Sequence, residues 1–173
     1  MSRTLGFGLR FALLFAVLTT AFEASRGTAF ERFVVEDLIL TPTVHMINVL
    51  TPNEGVVMVD RTLVSAQGSR LRITRGCEGV EMFLLLISAI ATFPARAARR
   101  ISGLLSGSVL AYVLSVGRLM ALHYILQYWP RAWESAHGLI LPLGPIVLLA
   151  LFFLWWSSKE GDATHLPQDR HAT

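Results

Sequence analysis

The sequence predicts an all-α integral-membrane helical bundle of about four transmembrane helices, with an extracytoplasmic amphipathic helix and a small β-hairpin. Three observations carry that expectation. Hydrophobic residues make up 53% of the 173-residue chain and charged residues only 16%, where a soluble domain carries about 25% charged residues. The apolar residues come in blocks long enough to enter a bilayer. The basic residues, which leave a net charge of +3, flank those blocks. Such flanking charge orients a membrane protein; it does not build a nucleic-acid-binding face.

The first block, FGLRFALLFAVLTTAF at residues 7–22, follows Arg3 and contains Arg10. Phe22 and Glu23 stand where a signal-peptide cleavage site needs small residues, so a retained first membrane helix is expected. Residues 23–76 are mixed. ERFVVEDLILTPTVHMINVL has apolar residues at helical spacing but carries three acids, an Arg and a His, which fits a helix at the interface or against the bundle, not a full span. TPNEG breaks that pattern. VVMVDRTLV and SRLRITRG, on either side of SAQG, alternate and are β-branched enough for a short hairpin.

From Glu78 the chain turns apolar again, and residues 78–94 give a short second span of roughly 25 Å. PARAARR follows, and then the longest apolar stretch, 101–126, interrupted by Arg118. Its first part, 101–118, is the expected third span, with Ser, Gly and Ala positions that permit close helix approach. QYWPRAWESAHG reads as a membrane-surface loop. The fourth span, 139–156, ends on Trp155 and Trp156. The tail 157–173 is polar and expected to be a disordered cytoplasmic segment. Residues 1–156 thus read as a single membrane domain, without internal repeats.

The positive-inside rule places MSRTLGFGLR, ARAARR and SSKEG on the cytoplasmic side and the loops 23–76 and 119–137 outside. Cys77 then opens the second span from outside, Arg118 lies where the third emerges, and His137 precedes the fourth. Cys77 is the chain's single cysteine, so no internal disulfide can form, and no Cys/His spacing suggests a metal site. Its place between Gly76 and Gly79 at a helix start favours a thiolate. Glu78 and Glu81 oppose that effect unless a cation neutralises them. The alternative for Cys77 is inert packing. Arg118, a charge within an apolar span, either faces the bundle interior or snorkels to the headgroups. Glu81, one turn into the second span, is a candidate partner for it. His137 reads as solvated or as a base; His123 and His45 read as surface or packing residues. A thiolate needs a base and a tetrahedral intermediate needs an oxyanion donor, so Cys, His and Arg at one membrane face suggest acyl transfer.

Several stretches resemble the exosortase and archaeosortase family of membrane cysteine transpeptidases. GCEGVEMF resembles the family's Cys block, especially the Gly-Cys-Asn-Gly-Val-Glu version of short exosortases of the H type. SVGRLMALHYI is similar to the Asn-x-x-Arg block, and YWPRAWESAHGLILPL resembles the stretch with the family's His. The similarity is clearest over residues 75–156. It implies Cys77 as nucleophile, Arg118 as transition-state stabiliser and His137 as acid/base, with Glu81 and Ser115 in support and no cofactor or metal. Two residues depart from the pattern: Glu78 stands where Asn or Ser is commoner, and Ser115 where Asn is usual. The implied activity is cleavage of a C-terminal sorting signal on membrane-anchored protein substrates, and transfer of the new carboxyl end to an acceptor. Such an enzyme would be a multi-pass protein of a bacterial inner membrane, with its site facing outward. A non-catalytic membrane assembly subunit, whose polar residues are structural, is the alternative from a different class.

Overall fold

The computed structural model describes residues 3–162. Five helices and one small sheet follow in chain order: α1 Arg3–Ala24, α2 Ala29–Leu50, β1 Val57–Val59, β2 Thr62–Val64, β3 Arg70–Arg72, α3 Val80–Thr92, α4 Ala97–Tyr128 and α5 Leu141–Asp162. Four helical stretches are long and apolar enough to cross a membrane: Leu5–Ala24, Ala29–Leu50, Ala97–Tyr128 and Pro130–Ser158. Three of them cover the expected spans 7–22, 101–118 and 139–156. The segment expected as the second span, 78–94, yields only the 13-residue α3, roughly 20 Å long and short of a hydrocarbon core. The segment read as an interfacial helix forms α2, whose 22 residues are long and apolar enough to cross a membrane. The third span, expected over 101–118, is a 32-residue helix that continues ten residues past Arg118, about 15 Å further. The expected tail begins inside α5, which runs to Asp162; residues 163–173 lie outside the described residues.

Rows of large apolar side chains stay exposed on the long helices, among them Leu5, Leu9 and Leu13 on α1, and Leu105, Val109 and Val113 on α4. Their spacing of four gives one apolar stripe per helix. A stripe of that kind suits hydrocarbon better than water.

Local chemistry sets the irregularities. Thr28 caps α2 by accepting from Glu31 N–H, while the Glu31 carboxylate takes the Gly27 N–H at 3.2 Å, a capping-box relative. α2 widens into π-type turns over Phe33–Leu40, immediately before Thr41-Pro42, and the same widening occurs over Ala136–Ile140 before Leu141-Pro142. A proline lacks the N–H that would close the preceding α-turn, and longer-range bonds absorb the mismatch.

The sheet has three antiparallel strands in the order β1-β2-β3, where a two-stranded hairpin was expected. The additional turn lies inside VVMVDRTLV: Asp60 and Arg61 both have positive φ, 45° and 59°, as a two-residue primed turn requires. Neither is Gly or Asn, so the usual sequence signal is missing. Asn48 of α2 locks the sheet in place by a reciprocal pair, its Oδ1 accepting from Val56 N–H and its amide donating to Val56 O, both at 2.8 Å.

Two apolar cores share α4. One gathers Leu40 and Ile47 of α2, Leu63 and Leu71 of the sheet, Cys77, and Leu119 and Leu122 of α4. The other joins Leu86 and Ile90 of α3, Ala111 of α4, and Leu149 and Trp156 of α5.

Candidate active site

The stretch from Thr74 to Gly79 is a tight turn that delivers Cys77 to the start of α3. Gly76 and Gly79 take φ of 79° and 82°, the left-handed region that favours glycine. The Cys77 N–H donates to Thr74 O at 3.0 Å, and the thiol lies 3.5 Å from Thr74 Oγ1. Cys77 is buried, at 8% exposure, on the edge of the first apolar core.

Ser115 of α4 abuts this turn. A Cβ on Gly79 would lie 2.4 Å from Ser115 Oγ, so a glycine there and a small residue on α4 let the turn and the helix touch. The Ser115 hydroxyl is occupied, donating to Ala111 O at 2.9 Å. Its small size permits that close approach.

Arg118 lies one turn further along α4. It is 8% exposed, and Nη1 donates to Gly76 O at 3.4 Å, on the residue next to Cys77. Its Nε is buried without a partner among the described residues. Arg118 therefore faces the interior and does not snorkel. The expected pair with Glu81 does not form: Glu81 is exposed on the first turn of α3, with a carboxylate oxygen near Gly76.

The carboxylate that is buried is Glu78. Arg26, from the loop between α1 and α2, donates from Nη1 to Glu78 at 2.9 Å, and the Gly76 N–H reaches the other oxygen at 3.3 Å. Arg26 also bonds Glu23 at 2.8 Å and lies 3.5 Å from Glu31. Hydrogen bonding to Glu23 is the main influence raising the Arg26 pKa above its ordinary value; burial opposes it and Glu78 adds to it. Glu31 in turn holds Arg61, the strained turn residue of the sheet, at 2.7 Å, and Arg61 Nε reaches Glu36 at 2.9 Å. Those bonds raise the Arg61 pKa as well. They also offset the left-handed backbone of Arg61, which costs about 1–2 kcal/mol.

Two separate cavities are lined by residues of the turn and the start of α3. A polar cleft of about 490 Å³ is lined by Arg26, Glu31, Arg61, Thr74, Arg75 and Glu78, among others. An apolar pocket of about 230 Å³ is lined by Val34, Leu38, Gly79, Val80, Phe83 and Ser115, among others.

His137 sits in the widened turns before α5. Its ring stacks on Trp133, with centroids 4.9 Å apart, and Trp133 packs against the core that holds Cys77. Its Nδ1 is buried without a partner. Among the described residues no hydrogen bond joins His137 to Cys77 or Arg118. The structure thus brings Arg118 to the Cys77 turn, while His137 stacks on Trp133.

A second polar cluster lies further along α4. His123, fully buried, is bonded through Nε2 to Glu54, and Tyr128 donates to the other Glu54 oxygen at 2.6 Å. The Glu54 main-chain oxygen accepts from Ala66 N–H at 2.8 Å. Glu54 therefore staples the sheet to the far end of α4, and His123 is a buried, bonded residue and not a surface one. Nothing in the local sequence marked Glu54, Arg26 or Arg61. Only Glu31 left a signal, as the third residue after the Thr28 cap. No family model, curated protein or solved structure matches the chain.

Proposed function

We propose that the chain is a membrane-embedded cysteine peptidase and transpeptidase, acting on exported proteins held in the bilayer by a C-terminal sorting signal. The observation that carries this reading is Arg118: a buried guanidinium whose Nε is unpartnered and whose one hydrogen bond among the described residues goes to the carbonyl beside the chain's single thiol. Unused charged donors in an apolar setting are what an oxyanion intermediate needs. The resemblance of GCEGVEMF, SVGRLMALHYI and YWPRAWESAHGLILPL to exosortase blocks supports the same assignment.

In this reading the Cys77 thiol gives its proton to His137, and the sulfur attacks the scissile carbonyl. Arg118 holds the resulting oxyanion. The C–N bond breaks, His137 returns the proton to the departing amine, and the substrate's new carboxyl end remains as a thioester on Cys77. An acceptor nucleophile then displaces the sulfur. His137 must leave its stack on Trp133 for this, and catalytic hydrogen bonds often tighten only with substrate bound. The residues lining the two cavities support the substrate class: Thr74, Arg75 and Glu78 border the polar cleft while Gly79 and Val80 border the apolar pocket. A peptide bond at the junction of a polar stretch and a membrane segment would suit such a boundary. The protein would then lie in a bacterial inner membrane with the Cys77 end outward.

The test is co-expression with a protein bearing a candidate sorting signal. Cys77→Ala should abolish processing while the folded protein accumulates, and mass spectrometry of the wild type should capture the thioester. Processing that survives Cys77→Ala sinks the reading. It would favour a non-catalytic membrane subunit, the reading that the resting separation of His137 from Cys77 supports.

A further inference from the structure

A buried carboxylate next to a nucleophilic sulfur disfavours the thiolate unless a cation compensates it. Glu78 is such a carboxylate, 3% exposed and adjacent to Cys77 in the chain. The compensating cation arrives from 52 residues away, as Arg26 Nη1 at 2.9 Å. The same carboxylate accepts the Gly76 N–H at 3.3 Å, so it also pins the backbone on the other side of Cys77. Arg26 is itself fixed: Glu23 holds Nη2 at 2.8 Å, and its guanidinium carbon sits 5.1 Å from the Phe22 ring centroid.

We propose that Arg26 is a positioning residue for Cys77: through Glu78 it holds the Gly76–Gly79 turn and cancels the charge beside the sulfur. Thiol reactivity would therefore depend on the loop between α1 and α2, although that loop contributes no atom to the chemistry. The inference rests on reading Cys77 as a nucleophile. Other charged groups face the turn: Glu31 from α2, Arg61 from the sheet, Arg75 within the turn, Glu81 from α3, Arg118 from α4, and His137 stacked on Trp133. None of these donates to Glu78. Arg26 is the side chain that pairs with it.

Because the chain has one cysteine, iodoacetamide alkylation of the full-length protein in lipid nanodiscs, followed by mass, reports Cys77 alone. The rate is measured against pH for the wild type, Arg26→Gln, Glu78→Gln and the double variant. Arg26→Gln should move the pH of half-maximal rate upward by about one unit, roughly a tenfold slower reaction near neutrality. Glu78→Gln should move it downward, and the double variant should return close to the wild type. Arg26→Lys keeps the cation and should keep the profile, which covers the case in which Arg26→Gln fails to fold. A purely structural role for Arg26 would change the rate at every pH alike, by exposing the thiol, and leave the midpoint in place. That result, or a midpoint unmoved in Glu78→Gln, overturns the proposal. Failure of the peptidase reading is seen separately, as substrate processing that persists in Cys77→Ala.

Discussion

The two ends of α4 use the same kinds of residue to opposite effect. Toward Ala97, small residues let large ones close in: a Cβ on Gly103 would lie 2.5 Å from the Trp156 indole, and one on Gly107 would lie 2.9 Å from Leu86. Phe93 meets both Phe153 and Trp156 edge-on, with centroids 5.6 Å apart. The arginines there bond main-chain carbonyls, Arg99 to Trp156 O at 2.6 Å and Arg100 to Phe93 O at 3.1 Å. Toward Tyr128 the helix passes buried charges instead: Glu78 and Arg118 at the Cys77 turn, then His123 with Glu54. Taking charges out of water costs several kcal/mol per ion before pairing repays it. One end is thus built for packing, and the other holds an arrangement that packing alone would never require. Departures of that kind gather at functional sites.

The sharpest way to break this contrast is to make one change at both ends. Arg61→Met removes the main partner of Glu31, a residue 1% exposed, and leaves it the Gly27 N–H at 3.2 Å and the 3.5 Å contact with Arg26. Stranding a buried carboxylate costs about 3–5 kcal/mol. Arg61 is itself 30% exposed, so solvent screening lowers the expected loss to about 2–3 kcal/mol. Arg100→Met at the other end removes bonds to carbonyls alone and should cost about 1 kcal/mol. Thermal unfolding of the two variants in the same micelles checks the difference, and equal losses would mean that the charged end has no special energetics.

A second pair separates packing from propensity along one helix. Gly103→Ala drives a methyl into an indole wedged between Phe93 and Phe153, and should destabilise by about 1–3 kcal/mol. Gly117→Ala meets nothing within 4 Å, so helix propensity should make it stabilising by about 0.5–1 kcal/mol. Opposite signs in the two melting shifts are the expected outcome.

What the sequence made legible follows the range of the interactions involved. Gly76 and Gly79 marked the helix start at Cys77, because the constraint is local; the left-handed φ of both comes from the fold. The interior placement of Arg118 was one of two open readings, since an arginine near a helix end can snorkel or turn inward. Its expected partner Glu81 has the right helical spacing, but Arg118 bonds the Gly76 carbonyl instead, and the carboxylate buried at the turn is Glu78. No local pattern could show that Arg26, 52 residues earlier, would meet it. α2 is long and apolar enough to cross a membrane, although three acids and an arginine look interfacial when counted along the chain. In the fold Glu31 and Glu36 are absorbed by Arg61. The Asp60-Arg61 turn was hidden for the related reason that long-range ion pairs, not turn chemistry, hold it.

The smallest predicted effect tests which of two neighbouring carboxylates matters. Glu78 and Glu81 are three residues apart, both are within reach of Gly76, and either could have served as counterion to a buried arginine. Glu81 is exposed and makes no ion pair among the described residues, so Glu81→Gln should change stability by less than about 0.5 kcal/mol. Its charge acts on the thiol only through solvent, where opposing and like charges are strongly screened. The alkylation profile of Cys77 should accordingly shift much less in Glu81→Gln than in Glu78→Gln. A shift as large as that of Glu78→Gln would show that both carboxylates bear on the sulfur, and that the Arg26 pair is not what sets its charge environment.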